Sequence, residues 1–160
     1  MTKSLKLKIV TPERLVLEEM VDQVTLPTTE GEITILPEHI SLIAGLASGD
    51  VVAVTNGEHV PMAVAGGFVE IKTNEEDVTE VAVLADFAEH VSELTDEKII
   101  QAKARAEELK KQMPARNATQ SVAGGENKEH VDFEHFEAEL ERSLTRVKIA
   151  DKWRTRKYRK

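Results

Sequence analysis

The chain has 160 residues, 41% hydrophobic and 31% charged, with a net charge of −8, which is enough apolar material for a modest core in one or two small domains. It has no cysteine, which excludes disulfide scaffolds, thiolate metal sites and a cysteine nucleophile together. With one Trp, one Tyr and four Phe it is poor in the stacking surface that sugar-binding and single-strand nucleic-acid modules use.

Leu5, Leu7 and Ile9 alternate with Lys6 and Lys8, so the chain starts as a strand rather than as the unbroken apolar run of a signal peptide. Short alternating runs then recur, separated by Thr-Pro, Gly, Asn-Gly and Asn-Glu-Glu-Asp turn signals. Strands are expected over 5–10, 14–17, 22–27, 31–35, 42–47, 50–55, 59–65, 67–73 and 78–84. In 31–35, Ile33 and Ile35 point to a core while Glu32 and Thr34 point out, and Pro37 then takes the chain out of the sheet. Asn56-Gly57 predicts a tight hairpin, because both positions tolerate positive φ. The pattern predicts two antiparallel sheets packed as a β-sandwich over residues 1–88.

Periodicity then changes from two to three or four. Ile99, Ala102, Ala106, Leu109 and Met113 form one helical stripe, with Thr95 as N-cap, Asp96 and Glu97 in the first turn, and Pro114 as the stop. Residues 114–131, with Pro114, Gly124 and Gly125 among polar neighbours, predict a linker. A second helix over 132–153 carries Phe133, Phe136, Leu140, Leu144, Val147 and Ala150 on one stripe. Residues 89–160 therefore read as an antiparallel helical hairpin, and the fold class is α+β. Because the first helix offers mainly alanine, this hairpin must lean on something else and is expected to be a movable element.

Residues 146–160 hold eight Lys or Arg against Asp151 alone, a local charge of +7 that leaves −15 on the other 145 residues. Arg146, Lys148, Lys152, Arg154, Arg156 and Lys157 are the candidate residues for docking on an acidic surface. A solvated helix end, favoured locally by the backbone dipole, is the plainer reading of the same charges.

No catalytic constellation assembles. The five histidines never stand at i, i+4 on a helix, the paired glutamates at 18–19, 75–76 and 107–108 diverge, and no phosphate-cradling glycine motif occurs. An enzyme, a metal site and a bound cofactor are not expected. No segment approaches the roughly 18 to 20 apolar residues of a membrane span, so membrane association is expected only through a partner.

Residues 31–39, Gly-Glu-Ile-Thr-Ile-Leu-Pro-Glu-His, are similar to the signature of the epsilon subunit of F-type ATP synthases. Ala-Gly-Gly-Phe-Val-Glu-Ile at 65–71 resembles that family's Gly-Gly-(apolar)-(apolar)-Glu-Val segment, and Val-Leu-Ala-Asp-Phe-Ala at 83–88 its Leu-Ala-Asp-x-Ala exit from the last strand. With Leu-Lys-Ile-Val-Thr-Pro at 7–12, these come in the family's order and at about its spacing. Thr34, Glu38 and Ser41 depart from it, standing where many members have Gly, Gly and Pro.

The resemblance implies a noncatalytic rotor subunit on the cytoplasmic face of the membrane. It would be clamped to the gamma subunit, rest on the membrane c-ring, and restrain the catalytic alpha/beta hexamer through its C-terminal helices. By position, Thr11 and His39 would face gamma and Glu32 the c-ring. Members that bind ATP use an Ile/Leu-Asp-x-x-Arg-Ala motif, whereas this chain has Lys98 for the acid and Gln101 for the arginine. Lys98 or Arg105 are the available substitutes, and ATP binding is expected to be weak or absent. The alternative is a β-sandwich binding module whose basic helix contacts nucleic acid or anionic lipid, with strongly salt-dependent affinity.

Overall fold

Ten strands, most of them with alternating apolar residues, form in the computed structural model, which describes residues 3–112 and 133–157 apart from the side chains of Phe133, Arg156 and Lys157. The strands are β1 (Leu5–Val10), β2 (Leu15–Val21), β3 (Gln23–Thr28), β4 (Gly31–Ile35) and β5 (Leu42–Gly45), then β6 (Gly49–Thr55), β7 (Glu58–Ala65), β8 (Phe68–Thr73), β9 (Thr79–Leu84) and β10 (Phe87–His90). They form two five-stranded sheets, ordered β2-β1-β9-β8-β5 and β10-β7-β6-β3-β4. All pairings within them are antiparallel except β1 with β9, which run parallel.

The sandwich core lies between the sheets. Leu5, Leu7, Ile9, Val69, Ile71, Val81 and Val83 of the first sheet meet Val24, Leu26, Ile35, Val51, Met62 and Val64 of the second, all essentially without solvent exposure. At about 1.5–3 kcal/mol for each large side chain taken out of water, this cluster is the main stabilising feature of the chain. Ile35 is buried, Ile33 packs against the same core, and Glu32 and Thr34 are exposed, as the alternation of 31–35 requires.

The Asn56-Gly57 hairpin forms with both residues at positive φ, 51° and 79°, between Thr55 and its partner Glu58. Glu38 occupies the left-handed region too, at φ 68°, at a position where glycine would be unstrained. The turn is held all the same: the Glu38 amide donates to Thr79 Oγ1 at 2.8 Å, and its carboxylate pairs with Lys3. Both side chains of that pair are well exposed, so it offsets little of the strain. Glu38→Gly is therefore expected to raise stability by about 1 kcal/mol, read as a higher urea midpoint at unchanged slope. An unchanged midpoint would show that the turn is unstrained.

After β10 come a short 3-10 turn (Val91–Glu93), helix α1 (Asp96–Gln112) and helix α2 (Phe133–Lys157). Thr95 Oγ1 accepts the Lys98 amide as the N-cap, and α1 buries Ile99, Ala102, Ala106 and Leu109, the expected stripe. Met113, Pro114 and the expected linker 114–131 lie outside the described residues.

Helix α2 departs from its expected stripe. Ala150 is buried as expected, but Leu144 is 40% exposed, whereas Ser143, Thr145 and Ile149, off the expected stripe, are buried. The reason is that α2 meets two surfaces, α1 on one side and the outer face of β7 and β6 on the other, so a single apolar stripe cannot describe it. A second, smaller cluster of Ala63, Leu94, Ile99, Ile149 and Ala150 joins the helices to the sandwich. Three of its five members are large, which makes it weak beside the main core.

Candidate functional site

The residues expected to act together are spread over the molecule. Thr11 follows β1 and exchanges hydrogen bonds with Arg14 across its turn, whereas Glu38 and His39 stand near the start of β9, where Glu38 bonds Thr79. Since β1 and β9 run parallel over about six residues each, Thr11 and His39 are about 20 Å apart at opposite ends of the first sheet. His39 turns its Nδ1 to the Ile40 carbonyl at 2.7 Å, between exposed Leu36 and Ile40. Glu32 lies on β4, the edge of the second sheet, four strand spacings or roughly 19 Å from β10.

The outer faces of the two sheets differ. The second sheet carries α2 over β7 and β6. On the first, Phe68, Leu84, Val10 and Leu15 are successive cross-strand partners and form one apolar row beside Thr11. Phe68 is 62% exposed and Leu84 and Leu15 are each 51% exposed, and Ile43 on the edge strand β5 adds to the same face.

Three cations of the basic tail, Arg146, Lys152 and Arg154, are engaged inside the chain. Arg146 donates to the Glu89 carboxylate at 2.8 Å and stacks over Phe87 at 4.6 Å from the ring centre. Lys152 contacts both oxygens of Asp50 at 2.7 and 2.8 Å, and Trp153 Nε1 adds a third hydrogen bond at 2.9 Å. Arg154 pairs with Asp96 at the start of α1. Lys148 is exposed beside an apolar cleft of about 390 Å³ with Ser48, Leu140 and Leu144. The side chains of Arg156 and Lys157 lie outside the described set.

A groove of about 900 Å³ opens between the sandwich and the hairpin, lined by Thr11, Glu89, Lys98, Gln101, Arg105 and Arg146 among others. Its cations are paired with oxygens of the chain. Lys98 is committed to Glu89 at 2.6 Å, and Arg105 makes a two-pronged contact with Glu139 at 2.7 and 3.1 Å and a third bond to Glu108 at 3.0 Å. Arg142 donates to the Asp86 carbonyl and Arg14 pairs with Glu93, so every cation of the groove already has an oxygen partner. Burial alone would raise the Glu89 carboxyl, but hydrogen bonds from Lys98 and Arg146, with their charges, hold it below the ordinary value. Hydrogen bonding from Arg105 likewise depresses Glu139.

Sequence reasoning missed Asp50, Glu89 and Trp153. The available signal was the pair Ala63 and Ala65 at outward-facing positions of β7, small residues that mark a surface made for a helix, with acids on either side.

A ten-stranded β-sandwich with a two-helix arm packed on its second sheet defines the class of fold. The family model described as "ATP synthase, Delta/Epsilon chain, beta-sandwich domain" matches residues 4–91. The chain is 38% identical to the ATP synthase epsilon chain of Nitratidesulfovibrio vulgaris strain DP4, over 93% of this chain and 97% of that one. It is 39% identical to that of Dehalococcoides mccartyi strain CBDB1, covering 94% of each. In fold it is similar to a chain of the Euglena gracilis mitochondrial ATP synthase structure of OSCP, F1 and c-ring, with a TM-score of 0.60, 22% identity, and coverage of 89% and 78%. The chain therefore belongs to the ATP synthase epsilon chains, noncatalytic subunits of that assembly. This favours the stalk subunit over the nucleic-acid or lipid module. No described helix is long and apolar enough to cross a membrane.

Proposed function

We propose that the chain is a rotor subunit at the foot of the central stalk, on the cytoplasmic side of the membrane, with its sandwich clamped to gamma and resting on the c-ring. In this reading α2 restrains ATP hydrolysis by the alpha/beta hexamer when it leaves the sandwich. The supporting observation is the exposed apolar row of Phe68, Leu84, Val10 and Leu15 on the outer face of the first sheet, away from the sheet that the hairpin covers. An exposed row of this kind marks a surface that a protein partner buries. Thr11 borders the row and His39 stands at the far end of the same strands, so a gamma contact reaching both spans the whole face. Glu32, on the far edge of the second sheet and clear of the hairpin, is free to meet the polar loops of a c-ring. The functional division is a sandwich over 1–88 and a helical part over 89–160, with β10 straddling the boundary.

Binding of purified gamma tests the face. Phe68→Glu, which places a charge at the most exposed member of the row, is expected to weaken gamma binding by at least about tenfold. Glu32→Arg is expected to leave it within about twofold, because a charge outside the contact affects affinity little. Wild-type affinity in Phe68→Glu would move gamma off this face.

A further inference from the structure

Asp50 and Glu89 are the only buried charged residues among those described, and both lie under α2. Burying a carboxylate is costly unless it is paired and hydrogen-bonded, and each of these is satisfied from the helices. Glu89 takes Lys98 of α1 and Arg146 of α2, while Asp50 takes Lys152 and Trp153 of α2.

Their placement on the sheet is specific. Ala63 of β7 is the cross-strand partner of Glu89 on one side and of Asp50 on the other, so acid, alanine and acid form one row over three strands. Adjacent strands are about 4.8 Å apart, which sets the two acidic strands roughly 10 Å from each other. The helix rises about 9–10.5 Å from residue 146 to residues 152 and 153. Helix and row therefore match point for point, with Ile149 and Ala150 packed in the same small cluster as Ala63. A slip of one turn would set Thr145 and Arg146, or Trp153 and Arg154, over that alanine.

We propose that Glu89 and Asp50, flanking Ala63, are a two-point latch that fixes the register of α2 and holds the hairpin folded without any bound ligand. The latch is a property of the isolated chain. Its regulatory meaning rests on the brake described above: Arg146 and Lys152 cannot satisfy the sandwich and an acidic surface of a partner at once, so the partner competes with the latch.

The test uses the isolated full-length chain, with hydrogen exchange along α2 and emission of Trp153, the chain's single tryptophan, as readouts. Asp50→Asn with Glu89→Gln is expected to lower amide protection at 146–153 by at least about tenfold and to shift Trp153 emission to the red, with strands β1 and β9 unchanged. Asp50→Lys with Lys152→Asp, which restores the pair in reverse, is expected to recover more protection than Asp50→Asn alone. Millimolar ATP is expected to alter neither readout in the wild-type chain. Unchanged protection of α2 in the double variant, a loss shared equally by the strands, or protection gained with ATP would each overturn the latch. A loosened α2 with unchanged hydrolysis in the reconstituted head would instead remove the brake and leave the latch standing.

Discussion

Gly67→Ala is expected to cost roughly 3 kcal/mol or more and to leave the sandwich largely unfolded under conditions where the wild-type chain is stable. Gly67 sits at φ 105°, and a Cβ added there would stand 2.0 Å from the Leu84 carbonyl oxygen and 2.8 Å from the Ala85 Cα. Both obstacles are backbone, so no side chain can turn aside. Relief would require moving the exit of β9, where the Ala85 amide donates to the Val10 carbonyl at 2.9 Å and ties β9 to β1. Gly57→Ala is the control: φ is 79° there, but nothing lies within 4 Å of the added atom. It should cost only about 1 kcal/mol, from the left-handed backbone alone. Urea titrations of the two variants decide the matter, and equal losses would show that backbone conformation governs rather than crowding.

Removing α2 and loosening it are expected to move ATP hydrolysis in opposite directions. If the extended helix is the brake, deleting residues 132–160 should raise hydrolysis by the reconstituted head, by at least about twofold at low salt. Arg154→Glu with Arg156→Glu and Lys157→Glu should act the same way, with wild-type inhibition fading as salt increases. Asp50→Asn with Glu89→Gln should instead deepen inhibition, because it favours release of the helix without changing its cations. Combined with the deletion, the latch variants should have no further effect. A deletion that leaves the rate unchanged across salt concentrations ends the brake, and latch variants that raise the rate would reverse the proposed order of states.

The sandwich was legible because its core obeys a simple alternation: Leu5, Leu7 and Ile9 are all buried, and 31–35 has the bounds its pattern implies. β10 was not. In Phe87–His90, Ala88 faces the sandwich core while Glu89 faces the helices, so both sides are covered and the alternation vanishes. The stripe on α1 was readable because that helix has one main neighbour. On α2 the expected Leu144 is partly outside and Ser143 and Thr145 are inside, since its orientation is set by where Arg146 and Lys152 find carboxylates. Those carboxylates come from strands 57 and 102 residues away along the chain, a separation that no local pattern reports. Thr11, Glu32 and His39 were located by family resemblance, and the absence of mutual contact among them follows from topology rather than from local spacing.

The parallel pairing of β1 with β9 governs how the chain acquires its shape during synthesis. β1 emerges first, and until β9 arrives its only possible neighbour in the sheet is β2; an isolated two-stranded hairpin is marginally stable at best in water. Lys6 meets Glu80, and Val10 meets Leu84, only when nearly the whole sandwich has left the ribosome. The first sheet therefore closes in one late, topology-limited step instead of growing strand by strand. A chain interrupted before Leu84 would hold Leu5, Leu7 and Ile9 open to solvent, and would be a substrate for chaperones or proteases rather than a shortened working subunit.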